Sequence, residues 1–220
     1  MKILFTKTGI EKEVSKHLGT DFTCDFKDVI RIENIETQPF SLQNQSLIFS
    51  SANAVKAFFE NGFLPNADHN KIYAVGKKTE EALIEFGFNS IKIFKNIREL
   101  SQFIVQETIK ENFLHFCGNL TLDILEKALN DEHLSYQKIT VYQTQLLYPE
   151  ISENYDAIVF FSPSGVRSFA KFNSLYGKAL FAIGQTTEKE FGKYTQSNVF
   201  VSQENNLEDL LHIIKQKADL

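Results

Sequence analysis

The chain has 220 residues, 43% of them hydrophobic and 23% charged, with a formal net charge of −5 at pH 7. That is enough for one large domain or two small ones around a sizeable core, and the balance is ordinary for a globular chain and unlike that of a disordered one. A net negative charge gives no general basic surface for nucleic acid or an anionic membrane, so an anionic ligand has to be held by local donors.

In chain order, Met1-Lys-Ile-Leu-Phe-Thr-Lys7 reads as a strand that begins at once, without the basic start and longer apolar run of a signal peptide. No apolar stretch approaches the ~18 residues of a membrane span. Asp28–Ile35 is rich in β-branched residues and carries no helix start. Leu47–Phe49 is a short apolar strand that runs into Ser50-Ser-Ala-Asn53, after which Val55, Phe58 and Phe59 recur at helical spacing. Lys71–Val75 repeats the pattern and ends in Gly76-Lys-Lys-Thr79, and a further strand ends in Cys117-Gly-Asn119. Tyr136–Thr144 is again β-rich without a helix start. Ala157–Phe161 then meets Ser162-Pro-Ser-Gly165 and the helical stripe Val166, Phe169 and Ala170. Ala182-Ile-Gly184 leads into Gln-Thr-Thr187, and Leu207, Leu210, Leu211 and Ile214 mark a last amphipathic helix. Short apolar strands alternating with such helices predict open parallel sheets covered on both faces.

The pattern is written twice. Ser50–Val55 resembles Phe161–Val166, Ala74–Thr79 resembles Ala182–Thr187, and Asn96–Leu100 resembles Asn206–Leu210, at offsets of 111, 108 and 110 residues. A period of that size predicts a duplicated α/β unit and not a solenoid. The two β-rich segments that break the alternation, residues 28–37 and 136–147, are expected to pair as a two-stranded antiparallel linker. They flank one flavodoxin-like domain, residues 38–135, while residues 1–27 join 148–220 in a discontinuous second domain. A cleft between the two is the expected ligand site.

In parallel sheets ligands lie outside the carboxyl ends of the strands. Here those ends carry Thr6-Lys7, Ser50, Ser51, Asn53, Gly76, Thr79, Gly118, Asn119, Ser162, Ser164, Gly165, Gly184, Thr186 and Thr187. Ser164 or Asn53 can simply cap its helix, contributing ~1 kcal/mol. Six similar ends predict more than capping: neutral N–H and O–H donors at helix starts, suited to a ligand with several carboxylates or phosphates. Nucleotide motifs are absent, since Lys71 stands where a P-loop needs its first glycine and no G-x-G-x-x-G occurs. No G-x-S-x-G elbow is present either. The pairs Glu80-Glu81 and Asp131-Glu132 fall on helix faces or loops and read as solvated. Cys24 and Cys117 form no metal spacing or disulfide framework, which fits a reducing cytoplasm. The five histidines stand singly and read as surface or packing residues, so no metal is expected.

Over almost its whole length the chain resembles the uroporphyrinogen-III synthase family. The resemblance rests on the strand ending Thr6-Lys7, Phe49–Val55, Ala74–Thr79, Phe116–Asn119, Ile139-Thr-Val-Tyr-Gln-Thr144, Phe160–Val166 and Ala182–Thr187. It implies two α/β domains on a two-stranded linker. It also implies a lyase reaction without metal or cofactor, in which hydroxymethylbilane loses water and closes with inversion of its last pyrrole ring. The substrate's acetate and propionate groups would engage the strand ends. Departure of the hydroxyl gives an electrophilic azafulvene, and attack by the far ring gives a spiro intermediate that reopens and closes inverted. Tyr142 matches the family's linker tyrosine and is the candidate proton donor; a packing tyrosine in a strand is the alternative. On a regular strand Thr140, Tyr142 and Thr144 face away from Ile139 and Val141. Lys7 matches a basic position in the family. Thr121 and Leu122 follow Asn119 where the family often has arginines, which removes an expected carboxylate contact.

The rival reading is a non-catalytic two-domain module that binds a tetrapyrrole or another anion. A periplasmic solute-binding protein needs an export signal. A receiver domain needs an acidic cluster at its strand ends, and the first strand here ends in Thr6-Lys7. The upstream hydroxymethylbilane synthase is a candidate partner, and nothing in the sequence requires more than a monomer.

Overall fold

The computed structural model describes residues 1–66, 68–107 and 110–218. The chain begins with β1 (Lys2–Phe5), α1 (Glu11–Leu18), β2 (Thr23–Phe26) and β3 (Ile30–Asn34). It continues through β4 (Ser46–Phe49), α2 (Ala52–Glu60), β5 (Ile72–Val75), α3 (Lys77–Glu85), β6 (Lys92–Phe94) and α4 (Ile97–Gln106). Next come β7 (Phe113–Gly118), α5 (Ile124–Asp131), β8 (Tyr136–Leu146), β9 (Ala157–Phe160) and α6 (Pro163–Ala170). The last elements are β10 (Ala179–Ala182), α7 (Gln185–Phe191), β11 (Val199–Val201) and α8 (Leu207–Ala218). These fall into two compact units, one of residues 1–31 with 145–220 and one of residues 32–144.

The first unit is a sheet in the order β11-β10-β9-β1-β2, and its neighbouring strands run parallel. Its central strands are apolar on both faces because both are covered. Leu4, Ile158 and Phe160 pack with Val166, Phe169 and Phe191 from α6 and α7. Ile3, Phe5 and Val159 pack with Val14 and Leu18 of α1 and with Leu210, Leu211 and Ile214 of α8. The stripe read from the sequence in the last helix is therefore the face it buries.

The second unit is a sheet in the order β3-β8-β7-β4-β5-β6. Leu47, Phe49 and Phe116 face Val55 and Phe58 of α2 and Leu83 of α3. Ile48, Tyr73 and Phe113 face Leu100 and Ile104 of α4 and Leu125 and Leu129 of α5. Phe49, Phe58 and Phe116 form a mutual aromatic cluster with centroids 4.7 to 5.3 Å apart. Each such contact adds ~0.5–1.5 kcal/mol to simple burial. The phenylalanines fill cores as expected, although Phe172 is more than half exposed.

The two segments expected to pair do so, and the pair also extends the second sheet. β3 and β8 are neighbours, with the Ile35 N–H donating to the Val141 carbonyl at 2.9 Å and the Leu147 N–H to the Val29 carbonyl at 3.0 Å, an antiparallel pattern. β8 runs parallel to β7 over Phe113↔Tyr136 to Gly118↔Tyr142, and β3 lies beyond it at the edge. The physical reason is that β7 would otherwise carry an unpaired edge, and Ile139 and Val141 are needed to close the core around Phe116. The unit boundaries accordingly fall at 31/32 and 144/145, within the segments read as linker.

The five strands β6-β5-β4-β7-β8 of the second unit occupy the places of β11-β10-β9-β1-β2 in the first. The sequence repeat maps β4-α2 onto β9-α6, β5-α3 onto β10-α7 and β6-α4 onto β11-α8. The remaining strand-helix-strand piece precedes this block in the first unit and follows it in the second. The units share one spatial order and differ by a circular permutation.

Candidate active site

In both units the residues singled out from the sequence gather at the carboxyl ends of parallel strands. In the second unit the centre is Tyr142. A bulge between Cys117 and Gly118 sets Thr140 opposite Cys117 and Tyr142 opposite Gly118, so Val141 is the extra residue on β8. The extra residue breaks the strict alternation expected of this strand. Tyr142 lies on the same side as Ile139 and Val141, packed against their core cluster, and not on the opposite side with Thr140.

This placement brings the phenol over Gly118. An added Cβ there would sit 2.5 Å from Tyr142 Cε2 and 2.7 Å from its hydroxyl oxygen, so only glycine admits the ring. The hydroxyl reaches the start of α2. Ser51, in extended conformation, caps that helix by accepting from the Ala54 N–H at 3.1 Å, and its own O–H donates to the Tyr142 oxygen at 3.0 Å. Burial pushes the Tyr142 pKa up, against a smaller opposing effect of the Ser51 hydrogen bond. The phenol is thus protonated at neutral pH, accepts from Ser51, and keeps its own proton for a ligand. Donation along the chain Ala54–Ser51–Tyr142 polarises that proton further.

The neighbouring strand ends are engaged in several ways. Asn119 ties two strands together, its N–H donating to the Tyr142 carbonyl at 3.2 Å and its Oδ1 accepting from the Thr144 N–H at 2.8 Å. Ser50 lies 2.8 Å from Nε2 of His115. Gly76 opens α3 at φ 88°, a left-handed value that favours glycine, and its N–H is given to Phe94. Asn53 is exposed within α2 and does not cap it; Ser51 does. Thr79 is buried and its hydroxyl donates to the Val75 carbonyl at 2.7 Å, so that proton is spent within the fold.

In the first unit Ser162 repeats the role of Ser51, capping α6 by accepting from the Gly165 N–H at 3.0 Å. Its oxygen also lies 3.0 Å from that of Ser164, which is buried, and Gly165 fits closely against Ser162 and Val29. Gly184 opens α7 in extended conformation, followed by exposed Thr186 and buried Thr187. Lys7 is exposed beyond β1, its ammonium 5.9 Å from the centre of the Phe161 ring.

Two residues near these ends escaped the sequence reading. Asn205 lies over Gly184 so closely that its side chain occupies the place of a Cβ. A lone polar residue in a loop gives no pattern to find it by. His115 is fully buried, as a packing histidine should be, yet both its ring nitrogens are hydrogen-bonded. The signal available was a histidine within the apolar run Phe113–Cys117.

Two doubly wound parallel sheets, each with helix starts, hydroxyls and closely fitted glycines at its strand ends, define a two-unit α/β protein of the doubly wound class. Residues 28–216 match the family model described as uroporphyrinogen-III synthase HemD. No curated protein matches the chain. Among solved structures, uroporphyrinogen-III synthetase from Helicobacter pylori superposes with a TM-score of 0.68 at 17% identity, covering 98% of this chain and 99% of that one. A mutant uroporphyrinogen III synthase from the extremely thermophilic bacterium Thermus thermophilus gives a TM-score of 0.74 at 14% identity, over 100% of this chain and 99% of that one. At those identities the superpositions show the shared fold.

The chain belongs to the uroporphyrinogen-III synthase family. It is a cyclising lyase of heme biosynthesis, acting on hydroxymethylbilane.

Proposed function

We propose that Tyr142 is the proton donor of the synthase reaction and that the strand-end groups hold the substrate's carboxylates. Tyr142 delivers its proton to the departing hydroxyl of hydroxymethylbilane, the C–O bond breaks, and water leaves. The resulting azafulvene, in its protonated form, is attacked by the substituted carbon of the last ring to give the spiro intermediate, which reopens and closes inverted. The proton released as the last ring regains aromaticity returns to the Tyr142 phenolate. The observation that carries this reading is the chain of donors ending at Tyr142, in which Ser51 gives its proton to the phenol and leaves the phenol's own proton for a ligand. A general acid of this kind contributes ~10²–10⁴-fold, and the rest falls to positioning.

Ser50, Asn53, Gly76 and Asn119 of one unit serve as carboxylate donors or as close-approach positions. So do Ser162, Ser164, Gly165, Gly184, Thr186 and Thr187 of the other, while Lys7 supplies a charge. Ser51 and Gly118 act through Tyr142, the one by its hydrogen bond and the other by admitting the ring. Thr79 contributes no donor, since its N–H goes to the Gly76 carbonyl at 3.1 Å and its hydroxyl to the Val75 carbonyl at 2.7 Å. The protein works as a monomer in the cytoplasm, a placement supported by unpaired Cys24 and Cys117, and receives substrate made by hydroxymethylbilane synthase. No described helix is long and apolar enough to cross a membrane.

The test is to give purified protein freshly generated hydroxymethylbilane and separate the oxidised porphyrins by isomer. The wild type is expected to yield predominantly type III, and Tyr142→Phe to yield type III more slowly. A Tyr142→Phe variant as fast as wild type would remove the phenol from the mechanism. A wild type giving only type I at the blank rate would favour a binding module.

A further inference from the structure

His115 stands in the middle of β7, fully buried between two hydroxyls: Nε2 is 2.8 Å from Ser50 Oγ and Nδ1 is 2.8 Å from the Tyr136 oxygen. Burial, with Lys138 nearby, pushes its pKa down to about 3, so the ring is neutral at any working pH. A neutral imidazole has one N–H and one acceptor nitrogen, so it can accept from only one of its two partners. The two hydroxyls therefore compete for a single lone pair. Burial pushes the Tyr136 phenol above its usual ~10. A phenol nonetheless remains a stronger acid than the alcohol of a serine in the same surroundings and makes the stronger bond to the imidazole. Tyr136 donates to Nδ1, and Nε2–H donates to Ser50. Ser50 is then an acceptor toward the protein and has its own proton left over at the carboxyl end of β4. The other tautomer would reverse this, drawing the serine proton inward to Nε2.

We propose that His115 is a positioning residue, locked by Tyr136 as the Nε2–H tautomer so that Ser50 presents its hydroxyl as a donor to a substrate carboxylate. This rests on reading Ser50 as a substrate contact. The chain Tyr136–His115–Ser50 is then the counterpart, on the opposite face of the sheet, of Ala54–Ser51–Tyr142. In both, donation runs toward the strand ends and leaves a hydroxyl proton there.

Nitrogen-15 NMR of histidine-labelled protein reads the tautomer directly. Protonated Nε2 in the wild type, with a shift toward protonated Nδ1 in Tyr136→Phe, is the expected result; protonated Nδ1 in the wild type would overturn the proposal. In turnover of hydroxymethylbilane, Tyr136→Phe should raise KM ~3–10-fold with kcat unchanged, the size of one neutral hydrogen bond. Ser50→Ala should raise KM by a similar factor, and adding Tyr136→Phe to it should change nothing more. Independent, multiplying effects in the double variant would show that Tyr136 acts otherwise than through Ser50. If Nε2 is protonated but Ser50→Ala leaves KM unaltered, the tautomer stands while the substrate role of Ser50 falls, and the proposal falls with it. Thermal melting of each variant separates these effects from loss of fold.

Discussion

Gly118→Ala places a methyl group where the Tyr142 ring now lies. The new Cβ would be 2.5 Å from Cε2 and 2.7 Å from the hydroxyl oxygen, whereas ordinary contact begins at 3.4 Å. The ring must therefore move by about 1 Å, because Gly118 lies in a strand held on both sides by its neighbours and has little room to retreat. Displacement of that size breaks the 3.0 Å bond from Ser51, which is worth ~1 kcal/mol, and overpacking against the core around Phe116 costs a further ~1–3 kcal/mol. If the phenol is the proton donor, misplacing it by ~1 Å costs on the order of 10²-fold in rate. Stability is read by urea unfolding and activity by the yield of type III isomer over time. Gly118→Ala should fall at least as far in activity as Tyr142→Phe, and the double variant should be little worse than Gly118→Ala alone. Wild-type activity together with unchanged stability in Gly118→Ala would refute both the ring placement and the role drawn from it.

Tyr142→Phe should lower kcat ~10²-fold or more without abolishing turnover. Since burial raises the Tyr142 pKa, its acid form persists to higher pH, and any wild-type alkaline limb from this group should lie above ~10 and vanish in the variant, as a pH–rate profile would show. Ser162→Asp keeps a good cap on α6 and should leave unfolding free energy within ~0.5 kcal/mol of wild type. Its added negative charge should nonetheless raise KM for the polycarboxylate more than ~10-fold, by the cost of a like charge at close range. Ser162→Asn should not, and equal KM values in the two would remove α6 from the substrate site. Because the folded-state pKa of His115 is depressed to about 3 while an unfolded histidine titrates near ~6.5, the unfolded chain binds the extra proton between those values. Stability from this group is present above ~6.5 and lost as pH falls toward 3, with a slope approaching ~1.4 kcal/mol per unit. Unfolding of wild type and His115→Asn at several pH values should differ in acid slope by one proton.

The fold was legible where apolar periodicity was unambiguous. The doubled block from β4 to α4 and from β9 to α8 announced itself, because buried parallel strands and one-faced helices leave strong patterns. Ser50–Asn53 and Ser162–Gly165 were legible as helix starts for the same reason, but the caps are Ser51 and Ser162 and not Asn53 and Ser164. The pairing of β8 with β3 was legible too; its second pairing, with β7, was not, because β-branched content marks a strand without naming every partner. Tyr142's side of the sheet was misread because a bulge is a property of the pair β7–β8, and no residue of β8 signals it alone. The spent proton of Thr79 and the network of His115 depend on hydrogen-bond partners distant in sequence, such as Ser50, which is 65 residues from His115. What the strand ends contain could be read from the chain; which of their protons remain for a ligand could not.

The circular permutation also sets an order in time. The second unit is made from one uninterrupted stretch, residues 32–144, so all its strands can find partners as soon as that stretch has been synthesised. The first unit cannot close its sheet until β9 emerges, since Ile3 must wait for Ala157. Closing so long a loop is slow in an open chain. A second unit already folded takes the intervening residues out of the search, leaving two short arms to meet. Lesions in the second unit should therefore delay the first as well, whereas lesions in the first should leave the second able to form.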